Sequence, residues 1–133
     1  VTIRVNDGTV DVDQDFTITV SNENDAPTFT SAPVTSATED ATYTYTATAS
    51  DVDVGDSLTL SAPVLPAWLS FDPATGVLSG TPSNAEVGDH TVTLRVNDGT
   101  VDVDQSFTLT VSNSNDAPTI TSTAVTTAVK SPR

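Results

Sequence analysis

Residues 92–120 read VTLRVNDGTVDVDQSFTLTVSNSNDAPTI, and residues 1–29 read VTIRVNDGTVDVDQDFTITVSNENDAPTF. The two stretches agree at 24 of 29 positions and lie 91 residues apart. A self-match of this length and spacing marks a tandem repeat whose unit is about one small domain. Within each copy apolar and polar residues alternate, the period of a half-buried strand. Val92, Leu94 and Val96 share one face, Asn97-Asp98-Gly99 supplies a hairpin turn, and Val101, Val103, Phe107, Leu109 and Val111 return on the same face. The stretch therefore predicts an antiparallel hairpin with one apolar side.

The repeat divides the chain. Residues 1–28 carry the last two strands and exit linker of one unit, 29–119 form a complete unit, and 120–133 hold the first strand of another unit with a divergent tail. Within the complete unit, residues 42–50 alternate with Tyr43, Tyr45, Ala47 and Ala49 inward. Leu58 and Leu60 mark a further strand, and Trp68, Leu69 and Phe71 another, introduced by Pro66. Residues 72–76, DPATG, form a turn, and Val77 and Leu78 follow it. With an edge strand near Val34, seven short strands result. This is the pattern of an all-β, immunoglobulin-like sandwich in a tandem array.

Composition narrows the function. Apolar residues make up 36% of the chain and aromatics 5%, so the core is expected to be built mostly from Val, Leu, Ile and Ala. Eighteen acids against four bases give a formal charge of −14. Such a surface repels phosphate backbones and anionic lipid, which argues against nucleic-acid partners and membrane insertion. It suits divalent cations. The absence of Cys removes disulfides, thiol catalysis and Cys-bound zinc. His90 has no second His beside it for a zinc site or a triad. The paired acids lie in turns or on exposed strand faces, so they do not form a glycosidase pair. The expectation is a protein without catalytic activity.

A more specific pattern lies between the strands. The run Pro66-Ala67-Trp68-Leu69-Ser70-Phe71-Asp72, then Thr75-Gly76, then Ser79-Gly80-Thr81-Pro82, resembles the dystroglycan-type cadherin-like repeats of large bacterial extracellular adhesins, a group also filed as immunoglobulin-like. The resemblance covers the whole repeat. It implies an immunoglobulin/cadherin-like seven-stranded β-sandwich in an extracellular, cell-surface adhesin or filament, with Ca2+ at inter-repeat junctions. Residues 22–29, NENDAPTF, are similar to the cadherin linker DxNDNAPxF, and residues 113–120, NSNDAPTI, are its second copy. By that resemblance Asn22, Asn24, Asp25, Asn113, Asn115 and Asp116 would be linker ligands. Asp51 and Asp53 would form the DxD loop, and Asp98 would take the place of the AxD aspartate. Glu39 would correspond to the first-strand glutamate and Glu86 to the glutamate of the LDRE motif, which is itself missing here.

Calcium takes six to eight oxygens from carboxylates, amides and carbonyls, at about 2.3–2.6 Å. Asp51, Asp53, Asp56 and Asp98 are expected on loops at the end where the chain arrives from the preceding unit. Glu39, Glu86 and the linker around Asn115-Asp116 are expected at the other end. A cation would relieve the repulsion among such carboxylates and stiffen a hinged string into a rod. The alternative stays open that these residues are turn formers, since Asp and Asn cap backbone and tolerate left-handed geometry. Asp11, Asp13, Asp102 and Asp104 read as a solvated face that discourages edge pairing.

Two function classes follow. The first is a structural spacer with calcium-set rigidity and head-to-tail self-association. The second is a calcium-dependent carbohydrate- or cell-surface-binding module, for which Trp68, Tyr43 and Tyr45 would be the stacking candidates, although their alternation fits a core. The chain starts at Val1 without an initiator Met or an apolar leader, as a fragment or processed unit would. A lone hairpin at 1–28 is marginal in water, so contact with copies of the same chain, by strand addition or by swapping for the 92–119 hairpin, is expected.

Overall fold

The computed structural model describes residues 1–132. Eleven β-strands and one 3-10 turn run in chain order: β1 Thr2–Asn6, β2 Asp11–Asp15, β3 Thr28–Phe29, β4 Ser36–Thr38, β5 Tyr43–Thr46, β6 Ala49–Ser50, β7 Thr59–Val64, β8 Ser70–Asp72, β9 Val77–Gly80, the 3-10 turn Asn84–Glu86, β10 Gly88–Asn97 and β11 Asp102–Ser112. The protein is all-β.

From β3 onward the strands form two layers. One is the sheet β4-β11-β10-β7, in which β4 runs parallel to β11 and the other pairs are antiparallel. The other layer holds β5-β9-β8, extended by the short pair β3-β6. β5 and β6 are one strand interrupted at Ala47-Thr48, and β3 and β4 are one opening strand that crosses from layer to layer. Counted that way the sandwich has the seven strands expected. The edge strand lies at Ser36–Thr38, two residues beyond the Val34 expected from the sequence. Val34 instead offers its carbonyl to the Tyr43 hydroxyl at 2.7 Å.

Tyr43, Tyr45, Ala47, Leu69, Leu78, Val92, Leu94 and Leu109 form the buried core, and Trp68, Phe71 and Phe107 pack against it. Aromatic rings carry much of this core and pack edge to face. Trp68 meets Tyr43 edge-on at 6.4 Å, and Phe107 meets Tyr45 at 6.0 Å. Burial pushes the Tyr43 hydroxyl up to about 12, with the neighbouring Tyr45 adding to it. Both tyrosines are therefore core residues and offer no face for stacking a sugar.

Two glycines explain part of the Thr75-Gly76…Ser79-Gly80 pattern. Gly76 has φ 74° and lies so close that a Cβ would strike the Ala47 carbonyl oxygen; its own carbonyl accepts from the Ala47 N–H at 2.8 Å. At Gly80 a Cβ would strike the Trp68 carbonyl oxygen. Backbone approach at these two points seats β9 between β5 and β8.

The hairpin of β1 and β2 pairs only with itself. Its residues are all exposed. Among the described residues no helix is long and apolar enough to cross a membrane.

Candidate metal centre

The sandwich concentrates carboxylates at its two ends. At the end nearest the leading linker, the loop after β6 folds on itself: the Asp53 N–H donates to Asp51 Oδ1 at 2.8 Å, an Asx turn that places both side chains on one side. The turn after β10 does the same for Asp98. The Thr100 and Val101 N–H groups donate to Asp98 Oδ1 at 2.8 and 2.7 Å. These bonds hold Asp98 below the usual carboxylate range, the Val101 bond first and the Asn24 side-chain bond next. Carboxylate oxygens of Asp51, Asp56 and Asp98 lie within 4.8 Å of one another. Asp53 and Asp98 are buried. Asp56 is pushed up, first by desolvation and then by the charges of Asp51, Asp53 and Asp98. Asp51 Oδ2 is buried without a partner among the described residues.

The leading linker closes over this group. The Asp25 N–H donates to Asp53 Oδ2 at 2.7 Å, and Asn24 Nδ2 donates to Asp98 Oδ2 at 3.0 Å. Pro27 is fully buried beside it, which fixes the direction in which the linker enters β3. The structure thus brings Asn24, Asp25, Asp51, Asp53 and Asp98 together; Asn22 is exposed just upstream.

At the opposite end Glu39 is 1% exposed. Its Oε1 accepts from the Ser114 N–H of the trailing linker at 2.6 Å, while Oε2 is buried without a partner among the described residues. Carboxylate oxygens of Glu39, Asp40 and Asp116 lie within 4.8 Å of one another. Asp40 stands in the left-handed region at φ 61°, which aspartate tolerates better than most residues, and its N–H is tied to the Pro82 carbonyl at 2.8 Å. Asn113 and Asn115 are exposed on the same linker. Glu86 is placed outside both groups of close carboxylates. Its Oε2 accepts from the Ser83 N–H and hydroxyl in a capping box, and these bonds, the hydroxyl's first, pull it below the usual range.

Sequence reasoning named Asp56 among the loop acids and missed Asp40. The available signal for Asp40 was an acidic pair, Glu39-Asp40, directly ahead of a strand. For Glu86 the spacing Ser83-x-x-Glu86 was a readable capping box.

Both groups are made of oxygen donors alone, and each contains a buried carboxylate oxygen that nothing else satisfies. An uncompensated buried carboxylate oxygen is costly, and a hard divalent cation removes that cost. The donor set fits Ca2+ and does not fit a metal that selects nitrogen or sulfur.

A family model described as "Putative Ig domain" matches residues 26–112, the linker end and the whole sandwich. The chain belongs to that family. Solved structures resemble this immunoglobulin-like domain as well. An endo-fucoidan hydrolase, MfFcnA4 of glycoside hydrolase family 107, matches at 26% identity and TM-score 0.58, over 86% of this chain and 18% of that one. An α-galactosidase-like protein of Bacteroides fragilis matches at 20% identity and TM-score 0.54, over 71% and 19%. Human protocadherin-24 EC1-2 matches at 24% identity and TM-score 0.50, over 67% of this chain and 44% of that one. The immunoglobulin-like chain therefore spans less than a fifth of the two glycoside-hydrolase-type structures and under half of the protocadherin fragment. A search of curated proteins finds no match. Immunoglobulin-like domains of this family are generally non-catalytic.

Proposed function

We propose that this chain is a structural repeat of an extracellular, cadherin-like array of the dystroglycan type, in which Ca2+ at the inter-repeat junctions sets rigidity and head-to-tail order. One observation carries the reading. The two copies of the linker dock on opposite ends of the same sandwich, the first on Asp53 and Asp98 through Asp25 and Asn24, the second on Glu39 through Ser114. The copies are nearly identical in sequence, so within an array each linker would make both sets of contacts at once. Asp51, Asp53, Asp56 and Asp98 of one unit would then face Glu39 and Asp40 of its neighbour across a single linker. Six carboxylates would then crowd one junction, and a bound cation there would offset their mutual repulsion at neutral pH. In an adhesin or filament, such junctions turn flexible links into a rod.

Calorimetric titration with Ca2+ at neutral pH tests this. Binding that disappears in the Asp51→Asn/Asp53→Asn variant and weakens in Glu39→Gln is the expected result. No heat above dilution at millimolar Ca2+ would sink the reading.

A second reading, an accessory module of a larger carbohydrate-active protein, is supported by the two glycoside-hydrolase-type structures of which the chain spans a small part. Affinity electrophoresis in fucoidan-containing gels separates the two, since the spacer reading predicts unretarded migration with or without Ca2+.

A further inference from the structure

The two linker copies are held unequally. The leading linker gives the sandwich two hydrogen bonds, from the Asp25 N–H to Asp53 and from Asn24 Nδ2 to Asp98. The trailing linker gives Glu39 one, from the Ser114 N–H. The Glu39 N–H donates in turn to the Ser112 carbonyl at 3.0 Å, so its carboxylate stands where β11 becomes linker. That carboxylate is almost wholly buried, and its Oε2 has no partner among the described residues. No cationic side chain balances it there, since the ion pairs of the described residues are those of Arg4 and Arg95. A buried carboxylate without a counter-charge is costly.

Two further acids add to the charge. Carboxylate oxygens of Glu39, Asp40 and Asp116 lie within 4.8 Å of one another. Asp40 is placed there by its left-handed backbone and by the bond from its N–H to the Pro82 carbonyl. Glu86 is not available, because its Oε2 already accepts from the Ser83 N–H and hydroxyl.

We propose that Glu39, Asp40 and Asp116 form a divalent-cation site complete within one unit and its own exit linker, and that the ion clamps this linker to the sandwich it leaves. The clamp rests on the reading above in taking Ca2+ as the ion. Three carboxylates and water make up the oxygens that Ca2+ takes. Only Glu39 of the three is buried, and Asp116 sits on an exposed linker that binding must order, so this site is the weaker one. The leading group, on two hydrogen-bonded turns, fills first. The clamp closes second and fixes the direction in which the next unit begins.

Tb3+, a hard cation that seeks the same oxygens, is the probe, read by emission sensitised through Trp68. Sensitisation falls steeply with distance. Trp68 packs on Tyr43, three residues after Asp40, and on His90, from which about 26 Å of strand leads to Asp98. The full chain carrying Asp51→Asn/Asp53→Asn, with the leading group disabled, should still give sensitised emission. Ca2+ should displace half of it at concentrations on the order of tenfold above the parent chain's calorimetric midpoint. Adding Asp40→Asn or Asp116→Asn should abolish the emission, and adding Glu86→Gln should leave it unchanged. Asparagine tolerates the left-handed backbone, so Asp40→Asn removes the charge and keeps the turn. No emission from the Asp51→Asn/Asp53→Asn chain overturns the clamp, as does emission that survives Asp40→Asn or is lost with Glu86→Gln. Displacement at or below the parent midpoint overturns the order of filling. A parent chain that gives this emission but no heat with millimolar Ca2+ would sink the leading-end site alone and leave the clamp standing.

Discussion

Arg4 grips Asp13 through Nε and Nη2 at 2.6 and 2.9 Å, and Arg95 grips Asp104 through the same atoms at 2.7 and 3.0 Å. The turns match too. Gly8 and Gly99 N–H donate to Asn6 and Asn97, and Val10 and Val101 N–H donate to Asp7 and Asp98. Local sequence therefore builds the same hairpin twice. The surroundings do not match: Ile3 and Val5 are 55% and 67% exposed, while Leu94 and Val96 are at 0%. β10 also begins at Gly88, ahead of the repeated stretch, and pairs with β11 out to Val111; residues 17–20 have no such ladder partner among the described residues. Turn chemistry and cross-strand ion pairs specify a hairpin, and only the opposing layer converts it into part of a core.

The sharpest way to break that comparison is a matched pair of truncations. Leu94→Ala should destabilise the sandwich by about 2–5 kcal/mol, as buried leucines do when a cavity is left. Ile3→Ala should change its unfolding by no more than about 0.5 kcal/mol. Chemical denaturation followed by Trp68 fluorescence reads the sandwich alone, because the hairpin has no tryptophan. Equal losses would mean that the first hairpin also belongs to the core.

Acid titration gives the next largest contrast. Asp7 and Asp98 are both held below the usual range, led in each case by the N–H of the residue three positions on. A carboxyl with a lowered folded value contributes stability that is present above the unfolded value, about 4, and is lost as pH falls through the folded value. Asp98 also holds the linker through Asn24, whereas Asp7 lies in the separate hairpin. Between pH 5 and 2 the sandwich melting temperature should fall, less so in Asp98→Asn, and as in the parent chain in Asp7→Asn. Asp56 runs the other way. Its raised value means that its charge opposes folding at neutral pH, so Asp56→Asn should raise the melting temperature without Ca2+ and reduce the response to Ca2+.

The smallest effect is expected at the cross-strand pairs. Arg4→Ala and Arg95→Ala remove exposed ion pairs, and each should shift the sandwich melting temperature by less than about 2 °C. A larger fall for Arg95→Ala alone would show that the outer face of β10 matters to more than the hairpin.

Much of the fold was legible because its strands obey a period of two and its repeat is nearly perfect. The places where reading fell short are those where a partner distant in sequence decides. Gln105 occupies the inward side between Val103 and Phe107, where alternation alone expects an apolar residue. It is there because it accepts from the Tyr45 hydroxyl at 2.8 Å and donates to the Ser31 carbonyl at 2.9 Å. Trp68 and Tyr43, weighed as sugar platforms, pack edge to face over the core. At the candidate site, Asp51, Asp53, Asp98 and the linker were readable from their spacing and a family resemblance. Asp40 was not, because its position depends on a left-handed backbone tied to Pro82. Glu86, matched by resemblance to the LDRE glutamate, accepts from a serine three residues earlier.

Thermal melting of the full chain with and without Ca2+, beside the Asp51→Asn/Asp53→Asn variant, tests the junction most directly. The parent chain should melt higher with millimolar Ca2+, by a margin that grows with its concentration as binding to the native state alone requires. The variant should melt at one temperature in both conditions. Identical melting of the parent chain with and without Ca2+ would contradict the account and leave these carboxylates as turn-formers and surface charge.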